Sequence, residues 1–215
     1  MRALIIFRYR TMPDRLSIGL TGGIACGKSA AAALLAERGL RVLDADEIAR
    51  RMMEPGGETH AAVVALFGED MLDAATGRID RGRLGRVVFA ERERRQQLER
   101  VVHPPVYREI EAALSAPDRD DTIVAEIPLL FETGAAHRFD QVWTVACSPA
   151  TQWQRMRQRQ WSEQECRARL NAQWPLERKM EEADLVLWNE FGREWLAAQI
   201  DLALSSLGRT RPAAM

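Results

Sequence analysis

Lysine is nearly absent from this 215-residue chain: of 30 basic side chains only Lys28 and Lys179 are lysine, and the remainder are arginine. That skew is a composition bias, and it makes the two lysines worth inspecting individually. Charge of one sign is lacking too. Thirty basic against 31 acidic residues leave a formal charge of −1, which excludes a global positive field for nucleic acid and restricts any polyanion site to a local patch. Cysteine is sparse. Cys26, Cys147 and Cys166 are odd in number and show neither CxxC nor zinc spacing, so a disulfide framework is excluded and a reducing cytoplasm is the expected setting. No apolar run approaches the roughly 20 residues of a membrane span. The apolar patch Ala3–Phe7 is shorter than the roughly 7–15 residues of a secretory core, so neither export nor a membrane partner is expected. Internal repeats and low-complexity segments are missing as well. What is present, 47% hydrophobic, 28% charged and 7% aromatic residues, is the composition of a globular chain long enough for one substantial α/β domain with a small lobe inserted.

Five short apolar runs read as strands: Leu16–Leu20, Leu40–Leu43, Thr122–Glu126, Gln141–Ala146 and Leu185–Trp188. The first is followed by a glycine turn and an alanine-rich helix, Ser29–Arg38, so residues 16–45 read as a βαβ unit with the first two strands paired in parallel. Residues 46–114 hold amphipathic stretches without a strand, at Glu47–Met53, Thr59–Phe67, Arg83–Phe89, Glu91–Val102 and Val106–Leu114, the last two broken by His103-Pro104-Pro105. This is a helical insertion. Residues 151–183 read as an arginine-rich helical lid in which Ser162 and Glu165 form a capping box, and Arg193–Leu207 closes the chain. The core is therefore 16–45, 115–150 and 184–207 of a single domain spanning 16–207. With a second methionine at Met12, residues 1–15 are expected to be an N-terminal extension, open to disorder, and 208–215 a loose tail.

Gly22-Gly23-Ile24-Ala25-Cys26-Gly27-Lys28-Ser29 fits GxxxxGK[ST] and lies between a predicted strand and a predicted helix, the context the motif requires. Glycines allow positive φ, so that successive amides point inward at phosphate oxygens at the positive end of a helix dipole. Lys28 is then the bridge to the β- and γ-phosphates and Ser29 the hydroxyl ligand of Mg²⁺. A purely structural glycine turn is the competing reading. Replacing Lys28 by methionine is expected to abolish phosphoryl transfer with unchanged melting.

A phosphate loop does not distinguish a switch, a motor and a kinase. GTPase switches usually carry NKxD, which is absent, and motor ATPases are usually longer. Leu43-Asp44-Ala45-Asp46 sets two acids beyond the second strand, at the ligand edge of a parallel sheet, where an acid can accept or hold an acceptor hydroxyl. Continued extended geometry would put Asp44 and Asp46 on one face. Helix capping by Asp46 is the alternative.

Residues 151–180 carry seven basic side chains against three acidic ones, a local positive excess in a nearly neutral chain. Arg159, Arg155 and Arg169 are the candidate triphosphate clamps, with Arg155 and Arg159 on one helix face by i,i+4 spacing; a solvated helix face is the competing reading for each. In the insertion, Arg81 and His103 are the candidate acceptor contacts, His103 being equally a helix-ending core histidine. His60 and His137 read as surface residues. Trp188 beside Asn189 is the candidate flank of the adenine.

The run Leu20–Ser29 followed by Asp44-Ala45-Asp46-Glu47-Ile48-Ala49-Arg50 resembles the bacterial dephospho-CoA kinase family. Glu54-Pro55-Gly56, Ile79-Asp80-Arg81, Leu84, Val88-Phe89, His103-Pro104, Pro128-Leu129-Leu130-Phe131-Glu132, Ala183-Asp184 and Asn189 resemble further landmarks of that family in the same order, over about residues 16–200. The resemblance implies a three-layer α/β fold of the P-loop kinase type, with a five-stranded parallel sheet, a helical CoA-binding insertion and a mobile lid. It implies ATP-dependent phosphorylation of the ribose 3′-hydroxyl of dephospho-CoA, Asp46 as the base, and a Mg²⁺ role for Glu126, against strand-end capping. Four positions depart from the pattern: Ala25 and Cys26 replace a glycine and a serine, Gln160 stands where the lid's Arg-Asp pair has its acid, and Trp174 replaces a methionine. The expectation is thus a cytoplasmic, monomeric kinase of dephospho-CoA. The alternatives are a P-loop kinase for another small nucleotide or hydroxyl acceptor, or a nucleotide-binding module without phosphotransfer.

Overall fold

The computed structural model describes residues 16–116, 122–159 and 161–207. The expected extension 1–15, the tail 208–215, part of the 115–121 connector and Gln160 lie outside the described residues. The chain divides into two compact units, one drawn from Met1–Leu43 and Asp118–Met215 and the other from Asp44–Pro117.

The first unit is built on strands β1 (Ser17–Gly22), β2 (Arg41–Asp44), β3 (Ile123–Glu126), β4 (Gln141–Ala146) and β5 (Leu185–Trp188) in the order β2-β3-β1-β4-β5. It is a five-stranded parallel sheet with flanking helices. Strands β1, β3 and β4 are buried along their whole length, whereas β2 and β5 are partly exposed. Composition explains that order: a strand apolar on both faces needs neighbours on both sides, and one that opens with Arg41 and closes with Asp44 suits an edge. The expected β1–β2 pairing is corrected on this point. Strand β3 separates them and pairs with β1, Ser17 opposite Ile123 through Leu20 opposite Glu126.

Register decides which side chains meet. Leu20 lies opposite Glu126 on one side and Trp143 on the other, and Trp143 opposite Leu185. In parallel strands such partners share a face. That face packs against α1 (Lys28–Ala36) and α9 (Arg193–Ser206) in a core of Ile18, Leu20, Leu34, Leu35, Trp143, Val145, Leu187, Leu196 and Ile200. Glu126 is thus carried into the row that faces α1. On the other face the Thr144 hydroxyl donates to the Lys179 carbonyl of α8 (Leu176–Glu182) at 3.3 Å. The arginine-rich segment supplies α6 (Pro149–Gln158) and α7 (Glu163–Asn171), the latter with the expected Ser162/Glu165 capping box.

The second unit packs α2 (Ala45–Met52), α3 (Glu58–Phe67) and α4 (Arg81–Ala90) on α5 (Arg92–Leu114). The expected break at His103-Pro104-Pro105 does not occur: α5 runs unbroken through both prolines. Each proline removes a helical N–H and crowds the preceding turn, at roughly 3 kcal/mol for an interior position. Val102, Val106 and Ile110 recur at fourfold spacing across the prolines and are all buried, so one continuous apolar stripe offsets that cost. His103 accordingly lies inside the helix rather than ending it.

Candidate active site

The loop between β1 and α1 is shaped by carbonyls pinned on its outer side. The Cys26 carbonyl accepts from Asn189 Nδ2 at 2.9 Å and from Arg155 Nη1 at 3.3 Å. The Ile24 carbonyl accepts from Gln152 Nε2 at 2.8 Å. In a trans peptide the next N–H points opposite to the carbonyl, so the amides of Ala25 and Gly27 are turned to the inner side. There they join the amides of Lys28 and Ser29, which as the start of α1 have no intrahelical acceptor. Such a concave set of donors at a helix N-terminus is an anion cradle. The positive φ values fall at Ala25 (59°) and Gly27 (96°), not at Gly22 or Gly23. A Cβ on Gly27 would stand 2.1 Å from Asn189 Nδ2, so this position excludes other residues on two counts. Ala25 holds the left-handed conformation despite its Cβ, at roughly 1–2 kcal/mol.

At the mouth of the cradle, Lys28 Nζ meets Glu126 Oε1 at 2.6 Å, and the Ser29 hydroxyl donates to the same oxygen at 2.8 Å. Glu126 is only 5% exposed. Two donors on one buried carboxylate oxygen keep all three groups in place with charge balanced. Among the described residues no cluster of three His, Cys, Asp or Glu side chains forms a metal site. A hydroxyl beside one carboxylate nevertheless fits Mg²⁺, which keeps water and takes phosphate oxygens as its other ligands.

The lid arginines diverge. Arg155 turns to the loop, its Nη2 also donating to the Asn189 carbonyl at 3.0 Å. Arg159 stands one residue beyond the last helical residue, as the C-cap of α6, and its guanidinium lies over the Trp161 ring at 5.2 Å. Arg169 lies 4.2 Å from the centroid of the same ring. Arg178 covers Trp174 at 3.5 Å, and Trp174 stacks on Phe131 at 5.8 Å.

Sequence reasoning passed over the ties between lid and loop. Gln173 Oε1 accepts from the Ile24 amide at 3.0 Å, and the next amide, Trp174, donates to Glu132 Oε1 at 2.7 Å. That carboxylate also takes fully buried Lys179 at 2.8 Å, which in turn donates to the Pro128 carbonyl at 3.1 Å. Burial lowers the Lys179 pKa against the pull of Glu132. Lysine scarcity pointed at Lys179, and Glu132 ends the Pro-Leu-Leu-Phe-Glu run. For Gln152 and Gln173 no local signal exists.

In the second unit, Asp44 is the N-cap of α2, accepting from the amides of Asp46 at 2.8 Å and Glu47 at 3.2 Å. Capping therefore falls to Asp44 and not to Asp46, which stands in the first helical turn. Extended geometry ends at Asp44, so the two acids do not alternate along a strand. Arg81 opens α4 and is exposed. His103 is half-buried, edge-on to Tyr107 at 6.1 Å, and desolvation lowers its pKa. His137 is exposed as expected, while His60 is half-buried, its Nε2 3.0 Å from the Gly77 carbonyl.

The dephospho-CoA kinase family model matches residues 16–194. A dephospho-CoA kinase of Geobacillus kaustophilus is 44% identical over 188 residues, covering 86% of this chain and 93% of that protein. Among solved structures, TT1252 from Thermus thermophilus superposes with a TM-score of 0.75 at 37% identity, over 90% of this chain and 98% of that one. The dephospho-CoA kinase from Campylobacter jejuni gives 0.66 at 26% identity, over 90% and 97%.

Proposed function

The chain belongs to the dephospho-CoA kinase family, and from that premise we propose that it transfers the γ-phosphoryl group of ATP to the ribose 3′-hydroxyl of dephospho-CoA, releasing CoA and ADP, the last step of coenzyme A biosynthesis. The observation that carries this reading is the convergence of Lys28 and Ser29 on buried Glu126 at the mouth of an inward-turned amide cradle. Residues 22–29 hold the phosphate chain. Lys28 exchanges its carboxylate for phosphate oxygens when nucleotide enters, which leaves Glu126 and the Ser29 hydroxyl as ligands for Mg²⁺. When bound, that ion neutralises charge on the β- and γ-oxygens. Arg155 and Asn189 support nucleotide binding through the Cys26 carbonyl they hold. Arg159 and Arg169 leave Trp161 to meet the phosphates.

Asp46 takes the proton of the acceptor hydroxyl as the new P–O bond forms and the bond to the ADP oxygen breaks. Asp44 fixes the helix that carries it, and Arg81 and His103 contribute to holding the acceptor. We infer a monomer acting on a small molecule in the cytoplasm, with no nucleic-acid or membrane partner; the near-zero charge supports the lack of a nucleic-acid partner and the few, odd-numbered cysteines the cytoplasmic setting, and among the described residues no helix is long and apolar enough to cross a membrane.

The test is product mass together with acceptor choice. With ATP and Mg²⁺, dephospho-CoA should gain one phosphate, and ADP release should depend on it and not on CMP, AMP or adenosine. Asp46→Asn should lower kcat on the order of 10²-fold with ATP affinity retained. Phosphate appearing on a different acceptor, or ADP release independent of any acceptor, would overturn the reading.

A further inference from the structure

The fold brings two of the three cysteines into contact, Cys26 in the phosphate loop and Cys147 at the end of β4. Cys26 is the loop residue before Gly27, and Cys147 follows the last residue of β4, 121 positions later. Their sulfurs lie 3.4 Å apart in a shared hydrogen bond, both side chains are buried at 0% and 1% exposure, and both are free thiols. Cys166 is occupied elsewhere, its sulfur directed to the Trp161 carbonyl at 3.9 Å.

We propose that Cys26 and Cys147 are an oxidation site: a small hydroperoxide converts the pair to a disulfide that pulls the phosphate loop out of its nucleotide-binding shape, and a thiol reductant restores it. The bond needs the sulfurs to close from 3.4 Å to about 2.05 Å. Cys147 is held at the end of a central strand, whereas Cys26 lies in a loop, so the movement falls on Cys26. There is no slack there. Its carbonyl is held by Asn189 and Arg155, and the following Gly27 has φ 96° with Asn189 Nδ2 where a Cβ would stand. Displacing Cys26 therefore turns the amides of Gly27, Lys28 and Ser29 that follow it.

The two thiols differ in the sense the chemistry requires. The hydrogen bond with Cys26 lowers the Cys147 pKa; burial opposes this, Arg155 reinforces it, and Glu190 opposes it. The same contact and burial push the Cys26 thiol up. Cys147 thiolate attacks the peroxide: an S–O bond forms, the O–O bond breaks, and the departing hydroxide takes a proton and leaves as water. Cys26 then attacks the sulfenic sulfur: the S–S bond forms, the S–O bond breaks, and hydroxyl leaves with the Cys26 proton as a second water. Two thiols are oxidised and one hydrogen peroxide is reduced to two waters. Burial shuts out bulky disulfides and leaves small peroxides as the oxidant class.

The bond itself follows from the sulfur geometry, while its effect on nucleotide rests on the loop reading given above. The test treats the full chain with hydrogen peroxide, alkylates remaining thiols after denaturation, and measures peptide mass and equilibrium ATP binding in parallel. Expected are a linked Cys26–Cys147 peptide lighter by two hydrogens, Cys166 still alkylated, and ATP affinity lower by roughly tenfold to a hundredfold until dithiothreitol is added. Saturating ATP during treatment should slow the linkage. Cys147→Ala, or Cys147→Ser should alanine fold poorly, should bind ATP normally and ignore peroxide. Both cysteines alkylated after treatment, or a linked peptide with unchanged ATP affinity, would overturn the proposal. Reduced protein that binds no ATP would instead defeat the loop reading, with the linkage still judged from mass alone.

Discussion

The loop at residues 22–29 and the arginine-rich helices α6 and α7 both carry positive charge, and their side chains are held in opposite ways. In the loop every directing group is hydrogen-bonded: the Ile24 and Cys26 carbonyls are taken by Gln152, Asn189 and Arg155, and Lys28 is paired with a carboxylate 5% exposed. In the lid Arg157 and Arg159 are exposed and lie over tryptophan rings, at 5.9 Å from Trp153 and 5.2 Å from Trp161. An exposed cation over a ring is worth about 0.5–1 kcal/mol, and a hydrogen bond from a charged group about 1.5–3 kcal/mol. On the proposed function, phosphate would therefore draw a lid guanidinium off its ring and Lys28 from Glu126, while the hydrogen-bonded loop backbone keeps its shape. Fixed donors suit the charge already present in bound nucleotide, and releasable ones the charge that appears during transfer.

The largest effect expected is at Lys28. Lys28→Met should lower kcat on the order of 10³-fold. From motif reasoning alone its melting is unchanged, but the structure alters that expectation. Losing the ammonium leaves Glu126 buried with Ser29 as its remaining partner, at about 3 kcal/mol, so Tm should fall by roughly 5–10 °C. Adding Glu126→Gln should restore much of the Tm and none of the turnover. A single variant that melts like the wild type in calorimetry would show that the loop is less tightly held than the lid comparison requires.

A smaller effect is expected from the lid. Arg159→Ala should reduce kcat roughly tenfold to a hundredfold, with KM for ATP nearly constant and stability lowered by no more than about 1 kcal/mol. The kcat-to-KM split separates a charge met in the transition state from one met in the ground state. If KM rises while kcat holds, Arg159 binds nucleotide as a fixed donor does, and the contrast with the loop disappears.

What was legible in the sequence was whatever a short window encodes. The glycine pattern between Leu20 and Lys28 needs only neighbours to be recognised, and the capping box at Ser162 and Glu165 spans four residues. The misreadings concern choices made by distant partners. Strand β3 takes the place beside β1 because it is apolar on both faces, a fact about sheet order that Leu40–Leu43 cannot reveal. Helix α5 continues through Pro104 and Pro105 because Val102, Val106 and Ile110 form one stripe against α2, α3 and α4. Asp44 rather than Asp46 caps α2 because the strand stops at Asp44, two residues before alternation would carry it to Asp46. The thiol pair and the Ile24–Gln173 bond join residues 121 and 149 positions apart, and no periodicity carries such information.

The smallest effect probes where the two regions join. Gln173 sits in the turn between α7 and α8, and its carbonyl oxygen accepts from the Ile24 amide at 3.0 Å. Trp174, the next residue, is tied through its backbone to Glu132. One turn of the lid thus holds the outer side of the loop and is itself anchored to the segment after β3. Gln173→Ala removes one neutral hydrogen bond, about 0.5–1.5 kcal/mol, and frees the Ile24 peptide to rotate. Because that peptide helps aim the cradle before nucleotide arrives, the loss should appear as a roughly twofold to tenfold rise in KM for ATP, with kcat little changed. Gln173→Glu retains an acceptor oxygen at the same reach and should recover most of the affinity. A fall in kcat at constant KM would instead make the contact a latch on the lid, and the loop would then owe its shape to Gln152, Asn189 and Arg155 without help from the turn.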